Sequence, residues 1–225
     1  NTTRKGGVIA MALVEGDELA WVRMTGGDDE LLVATRKGMA IRFSEQDVRV
    51  VGRTARGVRA ITLEPGDCVV GMSTLREGAR VLTVSETGFG RLSPITDYRL
   101  QSRGGKGLIN YHVERYGDVA AIKAVDLDDD VILIAADGVI IRIQANSIRE
   151  CARPSKGVRV MRIDGDNKVV TIARAPHDED SDEEDESEEN SENVLEEADE
   201  VLNDAEQDGV LEDEAGEQDA PGAEE

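Results

Sequence analysis

Basic side chains recur at an interval of 50 residues through much of this chain. They form three rows, each with one member per interval: Arg49, Arg99 and Arg149; Arg53, Arg103 and Arg153; Arg56, Lys106 and Lys156. Arg and Lys neutralise phosphate groups, and this releases the counterions condensed along a nucleic-acid backbone whatever its base sequence. A radial repeat would place the three rows around one rim. The pattern therefore predicts a basic band that contacts nucleic acid.

The same cations have a second interpretation, the protection of sheet edges. Arg and Lys on an edge strand prevent it from pairing with another chain, and such a device would also repeat with the fold. For any single Arg this is the simpler explanation, whereas nine cations in register favour a phosphate backbone. One Trp, three Tyr and two Phe are too few for a base-stacking platform, so we expect double-stranded nucleic acid.

Charge divides the chain into two unlike parts. The 225 residues include 48 acidic and 26 basic side chains, a net charge of −22. Residues 178–225 hold 25 of the acids and no Lys or Arg, which leaves 23 acids against 26 bases before them. The first part is thus slightly cationic, and the acidic average does not exclude nucleic acid. We assign residues 1–176 to a folded domain and residues 177–225 to an acidic C-terminal tail.

Glycines with the same interval mark the elements that must position the cations. Gly38, Gly88 and Gly138 each lie between two runs of apolar and β-branched residues, which predicts a β-hairpin in every period. The predicted hairpins pair residues 30–35 with 39–43, 80–85 with 89–92, and 131–135 with 139–143. Two further strands are predicted per period, for example at 58–63 after a Gly-Val step and at 68–72 after a Gly-Asp turn.

Four short strands per period, with no apolar stripe of helix length, predict an all-β, propeller-like repeat of four-stranded blades. Residues 1–176 hold three full periods and the start of a fourth. The cations lie in the irregular stretch after each hairpin, which we place on a loop or a strand at the outer edge of the blade. Because the chain begins with Asn in mid-pattern, we expect it to be a piece of a longer protein.

The tail is predicted to be disordered, because its charge density and lack of aromatic residues leave too little apolar surface to offset the entropy of ordering. Within it, Val194, Leu195, Ala198, Val201 and Leu202 fall at helical spacing, and Ala205 continues the pattern. Like-charged neighbours oppose that helix, so a solvated and transient helix is expected rather than a partner-binding one.

The segment from Gln101 to Gly107, with sequence QSRGGKG, resembles the A-box of the C-terminal domain of the DNA gyrase A subunit family. In that family the box is Gln, a basic residue, Arg, Gly, Gly, a basic residue and Gly. Six positions match, and Ser102 departs from the pattern. The repeats RKGMAIRF, ARGVRAI, TGFGRLSP and SKGVRVM and the acidic tail are also similar to this family. The resemblance extends over essentially all of residues 1–176.

The resemblance implies a β-pinwheel, whose blades exchange strands and whose rim wraps double-stranded DNA to support negative supercoiling. It implies DNA contact by Gln101, Arg103, Gly104, Gly105, Lys106 and Gly107, either as the principal box or as a later copy of it. It also implies two partners, the rest of the gyrase A subunit together with the gyrase B subunit, in a heterotetramer of the bacterial cytoplasm associated with the nucleoid. The catalytic tyrosine and the ATPase belong to other parts of that enzyme, so this chain alone is expected to be no enzyme.

Two rival functions remain open. A topoisomerase IV-type A subunit has a related domain that binds DNA without strong wrapping, and a propeller can also be a scaffold for protein partners. The long tail and the box favour gyrase. Because the tail is a tethered polyanion beside a cationic rim, we expect it to compete with DNA and to weaken wrapping.

Other chemistries have little support in the residues. Cys68 and Cys151 are too few for a disulfide framework or a four-ligand zinc site, and the acids at 126–130 are explained by a polar turn before a strand. We expect no metal and no cofactor. The tyrosines Tyr98, Tyr111 and Tyr116 are expected to be packing residues of a strand or an edge. Apolar runs are far shorter than the roughly 18 to 20 residues of a membrane span, so no membrane partner is predicted.

Overall fold

The computed structural model describes residues 8–176. The predicted disordered tail and its helix-spaced residues therefore lie outside the described residues. The described part is antiparallel β-structure with one short helix and three 3-10 turns. The strands are β1 (Glu30–Thr35), β2 (Met39–Ser44), β3 (Val69–Leu75), β4 (Arg80–Ser85), β5 (Phe89–Pro94), β6 (Leu108–Ile109), β7 (Val119–Val125), β8 (Asp129–Ala135), β9 (Ile140–Gln144), β10 (Val158–Arg159) and β11 (Val169–Pro176); the helix is α1 (Val113–Tyr116), and the turns are Glu45–Asp47, Ile95–Asp97 and Ala145–Ser147.

The strands form three sheets, each built on one hairpin of the sequence repeat. The spatial orders are β3-β1-β2-β6, β10-β5-β4-β7 and β11-β8-β9. In the first hairpin Val33 lies opposite Ile41, and in the second Leu82 lies opposite Leu92. All three predicted hairpins are confirmed, because a glycine with positive φ closes each turn between two runs that alternate across the sheet.

The second and third repeats each lend one strand to the sheet before them. Strand β6 belongs to the second repeat but pairs with β2, where Leu108 lies opposite Ala40. One period later β10 pairs with β5, where Val158 lies opposite Gly90. This exchange of strands between neighbouring sheets is the pinwheel arrangement that the resemblance implies.

The strand predicted at residues 58–63 is not formed. Its equivalents β6 and β10 become strands by pairing with the outer strand of the preceding sheet, and residues 58–63 have no such strand beside them in the described part of the chain. This segment therefore has the apolar pattern of a strand, but no strand of the described residues pairs with it. The strand predicted at 68–72 forms as β3, which continues to Leu75.

The hydrophobic cores lie between neighbouring sheets. One cluster joins the first and second sheets through residues such as Leu32, Val81 and Ile122. Another joins the second and third sheets through residues such as Leu82 and Leu133. Burial of apolar surface between sheets therefore fixes the sheets to each other. No helix within the described residues has the length and apolarity needed to cross a membrane.

Candidate nucleic-acid interface

The repeated cations lie in three loops that follow the hairpins, residues 45–57, 95–107 and 145–157, which we call the first, second and third cation loops. The second loop runs beside the outer strand of the preceding sheet, where Leu100 bridges to Arg42 and the Gln101 N–H donates to the Arg42 carbonyl at 3.0 Å. The third loop repeats this contact, since the Cys151 N–H donates to the Leu92 carbonyl at 2.8 Å. The second and third loops therefore lie at the edge of the preceding sheet, where the sequence places them.

The row Arg49, Arg99 and Arg149 is directed to solvent. Each residue follows the position that closes a 3-10 turn, so each has the same place in its repeat. All three are exposed, and within the described residues their side chains make no hydrogen bond and no ion pair. This row is the part of the predicted band whose charge is fully available to an anion.

The row Arg53, Arg103 and Arg153 is divided. Arg53 is exposed and borders a groove of about 770 Å³ that is lined by apolar residues of the segment 8–13. Arg103 is half-buried and donates from Nε to the Asp47 carbonyl at 2.8 Å and from Nη1 to the Arg59 carbonyl at 3.0 Å. The guanidinium of Arg153 makes the equivalent bonds one repeat later. The prediction that this row contacts DNA stays a prediction.

The row Arg56, Lys106 and Lys156 has three different surroundings. Arg56 is exposed. The Lys106 ammonium lies 2.9 Å from a carboxylate oxygen of Glu64, and both side chains are largely in solvent. The Lys156 ammonium lies 3.9 Å from the centre of the Phe89 ring, a cation–π contact, and it pairs with no carboxylate of residues 8–176. The three members therefore differ in how much charge they offer to a phosphate.

Two of the three glycines of the box, Gly104 and Gly107, have backbone conformations that favour glycine. Gly107 has φ +80°, and a Cβ there would lie 2.3 Å from the Ala40 carbonyl oxygen. Gly104 has φ +84°, and its N–H donates to the Ala60 carbonyl at 2.6 Å. Gly105 is exposed, and a Cβ there would meet only atoms at 3.9 Å. Of these three, Gly105 has the space for a phosphate approach, and contact of the whole set with DNA stays a prediction.

Gln101 lies at the start of the box with its side chain partly buried. Its Nε2 is buried and has no hydrogen-bond partner in the part of the chain that the structure describes. The residue lines an open groove of about 320 Å³ together with Ser44, Asp47, Leu100 and Ser102. Because this nitrogen is buried, the structure does not place it in the groove, and contact of Gln101 with DNA stays a prediction.

A buried polar cluster behind the loops is not evident from the sequence. Arg91 is fully buried, its Nη2 donates to the Asn110 carbonyl at 2.5 Å, and its carbon Cζ lies 5.7 Å from the centre of the Tyr111 ring. The Tyr98 hydroxyl donates to Asn110 Oδ1 at 2.7 Å. Burial lowers the pKa of Arg91 and raises the pKa of Tyr98 and of Tyr111. Tyr98 and Tyr111 are packing residues, as predicted, but they lie in the core and outside the strands.

Ion pairs between neighbouring repeats form a second group that sequence reasoning missed. The Arg36 guanidinium lies 3.0 Å from a Glu86 carboxylate oxygen, and the Arg76 guanidinium lies 2.7 Å from that of Asp126. In both pairs the partners are 50 residues apart. The sequence contains a signal for these pairs. Opposite charges 50 residues apart occupy the same position in successive repeats, so they lie close together when the repeats are adjacent. The glutamate also raises the pKa of Arg36.

The acids at 126–130 also act in ion pairs. Strand β8 starts at Asp129, so the polar turn is shorter than predicted, and Asp129 lies 3.3 Å from the Arg174 guanidinium. Asp130 is buried and pairs with Arg142. No group of three or more His, Cys, Asp or Glu arranged to hold a metal occurs among residues 8–176.

Sequence comparison finds one family. The model of the DNA gyrase C-terminal domain, a beta-propeller, matches residues 1–25, 29–76, 79–126 and 129–176. The DNA gyrase A subunit of Staphylococcus aureus strain MRSA252 is 39% identical over 204 residues, which cover 89% of this chain and 23% of that protein. The same protein of strain NCTC 8325 is 39% identical over 207 residues, with the same coverage. The chain thus spans about a quarter of the length of these relatives.

Solved structures agree on the architecture. A DNA gyrase A C-terminal domain superposes with a TM-score of 0.69 and 26% identity over 76% of this chain and 59% of that one. The C-terminal domain of DNA topoisomerase IV gives 0.67 and 21% over 72% of this chain and 52% of that one. The E. coli ParC C-terminal domain gives 0.55 and 16% over 75% and 69%. At these last two identities the likeness shows the fold.

Proposed function

Because this chain belongs to the DNA gyrase C-terminal domain family, we propose that it binds double-stranded DNA along its cation loops and wraps it. The observation that carries this proposal is the row Arg49, Arg99 and Arg149. These arginines are exposed, lack partners within the described residues and occupy the same position in successive repeats. A regular series of unpaired cations matches the regular line of phosphates on a duplex.

Wrapping follows from the spacing of the contacts over several repeats. A duplex that touches one arginine per repeat must follow the path of the repeats, and bending a site of 20–30 base pairs costs of order 1–6 kcal/mol. One phosphate contact cannot offset that cost, whereas a series of contacts can. The sheets that carry the loops are fixed by the cores between them, so the protein presents a preformed path.

The wrapped DNA would serve a larger enzyme. Since the chain spans 23% of its relatives, we assign strand cleavage to the rest of the gyrase A subunit, with ATP hydrolysis in the gyrase B subunit. Both are its proposed partners in a heterotetramer. The chain itself then supplies DNA path geometry for negative supercoiling and no catalytic residue. Phosphate contact by Arg and Lys needs no metal or cofactor. The bacterial cytoplasm, beside the nucleoid, is the proposed location.

The acidic tail gives this function a proposed regulator. Residues 178–225 carry 25 acidic side chains and no basic ones, so they can compete with phosphates for the cation loops. Deleting residues 178–225 is expected to tighten duplex binding severalfold at low salt. Fluorescence anisotropy with a labelled duplex at matched ionic strength measures this, and equal affinities with and without the tail would exclude competition.

The proposed function is tested by removing the solvent-directed row. The full chain with Arg49→Gln, Arg99→Gln and Arg149→Gln should lose about 2 to 3 units from the slope of log K against log salt, since each phosphate contact accounts for about 0.9. The control is Arg76→Gln, which removes an arginine held in an ion pair outside the cation loops. Wild-type affinity and slope in the triple variant would support the protein-scaffold alternative.

A topoisomerase IV-type domain remains the second candidate, because its C-terminal domain has the same fold with a TM-score of 0.67. The two candidates differ in the path they impose on DNA. Relaxed plasmid is incubated with the chain and a nicking-closing enzyme, and the linking number is read after protein removal. A linking-number change that grows with bound protein supports wrapping, and binding without such a change supports the topoisomerase IV-type candidate.

A further inference from the structure

Two arginines of the cation loops hold main-chain carbonyls instead of facing solvent. Arg103 of the second repeat donates from Nε to the Asp47 carbonyl and from Nη1 to the Arg59 carbonyl, both in the first repeat. Arg153 of the third repeat donates from Nε to the Asp97 carbonyl at 2.9 Å and from Nη1 to the Ile109 carbonyl, both in the second repeat. One guanidinium thus connects three segments. They are its own cation loop, the 3-10 turn of the preceding repeat, and the segment that follows the preceding repeat's cation loop, which contains Arg59 or Ile109 and which we call the returning segment.

The two sites are copies of one arrangement. Asp47 and Asp97 are the last residues of equivalent 3-10 turns. Arg59 and Ile109 lie 50 residues apart, at the same position of the returning segment in successive repeats. The carbonyl acceptors belong to the main chain, so the contact is independent of the side chains at those positions. That independence explains how the same bonds form on an arginine in one copy and on an isoleucine in the other.

The reverse contact is present at one junction. Arg42 of the first repeat donates from Nη1 to the Ile95 and Tyr98 carbonyls of the second repeat, at 3.0 and 2.9 Å. The equivalent position at the next junction is Leu92, which has no such donor. The guanidinium at Arg103 and Arg153 is therefore the contact between loop and preceding turn that both junctions share.

Only arginine can make this contact. Its planar fork presents Nε and Nη1 in fixed directions, so two carbonyls of separate segments are held at one distance and angle, and charge-assisted bonds are stronger than neutral ones. Lysine carries the same charge on a single rotating ammonium and cannot hold the two carbonyls in that geometry.

We propose that Arg103 and Arg153 are positioning residues that hold each cation loop against the turn and the returning segment of the preceding repeat and so set the curvature of the DNA path. This inference rests on the proposed function. The row Arg49, Arg99 and Arg149 then supplies the phosphate contacts, and the two latch arginines, Arg103 and Arg153, determine how those contacts follow one another in space. Loss of a latch leaves the charges and the sheets in place, since the cores still hold the sheets, but lets the cation loop shift relative to the preceding turn.

The test uses the full chain with Arg103→Lys and Arg153→Lys together, against the wild type and a control with Arg76→Lys. The double variant keeps every positive charge. The latch predicts an unchanged salt slope of duplex binding, within about 0.5, but at least a twofold smaller linking-number change per bound protein. Arg76→Lys, in an ion pair outside the loops, should behave as wild type in both assays.

The second comparison is Arg103→Lys with Arg103→Gln. A direct phosphate contact predicts that Lys restores the salt slope and the linking-number change that Gln loses. The latch predicts that neither substitution restores the linking-number change and that both keep the slope. A slope that falls by about one unit in the Gln variant alone overturns the inference, as does a double Lys variant that wraps like the wild type.

Folding of the variants is checked by circular dichroism and thermal melting before either assay. If the double variant does not fold, each single Lys variant is assayed alone, since each removes the latch at one junction. Failure of the proposed function looks different, because the wild type would then bind duplex without changing the linking number, and both proposals would fall. If the wild type and the Lys variants wrap DNA equally, only the latch inference is excluded and the proposed function stands.

Discussion

The second and third cation loops are held by the same contacts but present their last lysine differently. Both carry a latch arginine, and both end in a glycine with positive φ that packs on the preceding sheet. Lys106 faces Glu64, whereas Lys156 lies over the Phe89 ring. The residue beneath the latch arginine also differs. Tyr98 is buried under Arg153, whereas the equivalent residue of the first repeat, Val48, is 37% exposed. Shared contacts thus define the shape of the loop, and variable ones tune its charge and stability.

The largest expected effect tests the shared part. Gly107→Ala and Gly157→Ala should each destabilise the domain by about 3 to 5 kcal/mol, because φ near +80° disfavours a side chain and the new Cβ would meet a carbonyl oxygen at 2.3 and 2.2 Å. Urea denaturation followed by circular dichroism measures the free energy of unfolding. If the two loops are equivalent in shape, the two losses should be similar.

Gly105→Ala is the matched control, because the same substitution there brings Cβ no nearer than 3.9 Å to its neighbours. Its effect should be within about 1 kcal/mol. A large loss at Gly107 with none at Gly157 would show that the third loop is held in another way. Equal small losses at all three positions would contradict the close packing.

The second effect concerns Tyr98, the residue of the second loop that lies under the latch arginine of the third loop. Burial raises the pKa of Tyr98 above its unfolded value of about 10, so between those two values the folded protein keeps a proton that the unfolded chain has released. The stabilising contribution is complete below pH of about 10 and decreases as pH rises through that window. Melting temperature between pH of about 8 and 11 should therefore fall at the alkaline end.

Tyr98→Phe should lower the free energy of unfolding by about 1 kcal/mol near neutral pH, because Asn110 loses a hydrogen-bond donor. It should also flatten the alkaline part of the melting profile. Some alkaline decrease should persist through Tyr111, whose pKa is raised by burial as well. An alkaline decrease as steep in the variant as in the wild type would show that Tyr98 is not its source.

The smallest effect concerns the two lysines. Lys156→Gln should reduce the salt slope of duplex binding by about one unit, and Lys106→Gln by less than half of that, because Lys106 must first leave Glu64. Glu64→Gln should raise duplex affinity roughly two- to threefold at low salt by freeing Lys106. The measurement is fluorescence anisotropy over a salt series.

Glu77→Gln is the control for this series, since Glu77 is exposed and makes no ion pair within the described residues. It removes the same charge without freeing a lysine. If Glu77→Gln and Glu64→Gln raise affinity equally, the gain comes from net charge and the pairing of Lys106 is irrelevant.

Much of the fold could be predicted from the sequence, because its signals are local and repeated. Each hairpin is encoded by a glycine between two alternating runs, and the interval of 50 residues establishes which positions correspond. The segment at 58–63 shows the limit. Its composition resembles that of β6 and β10, but a strand needs a partner, and which sheet supplies it is a property of the fold.

Part of the candidate site could not be predicted for a related reason. The register of the cations shows that Arg99 and Arg103 recur with the fold, but it does not give the direction of either side chain. In the structure one is in solvent and the other holds two carbonyls. The acceptors are main-chain atoms, so they leave no trace in residue types. The buried cluster around Arg91 could not be predicted either, since an arginine in a strand is usually a surface residue.

The lending of a strand to the preceding sheet has a consequence for genes that encode such chains. The first sheet draws on residues from Glu30 to Ile109, a span much longer than one period, so no single period is a self-sufficient building block. Yet within residues 8–176 the second period gives one strand, β6, and receives one, β10. If recombination duplicates or deletes one whole period, each strand that is lent to a preceding sheet therefore still finds a partner. The number of repeats can change in this way without loss of the strand pairings between neighbours.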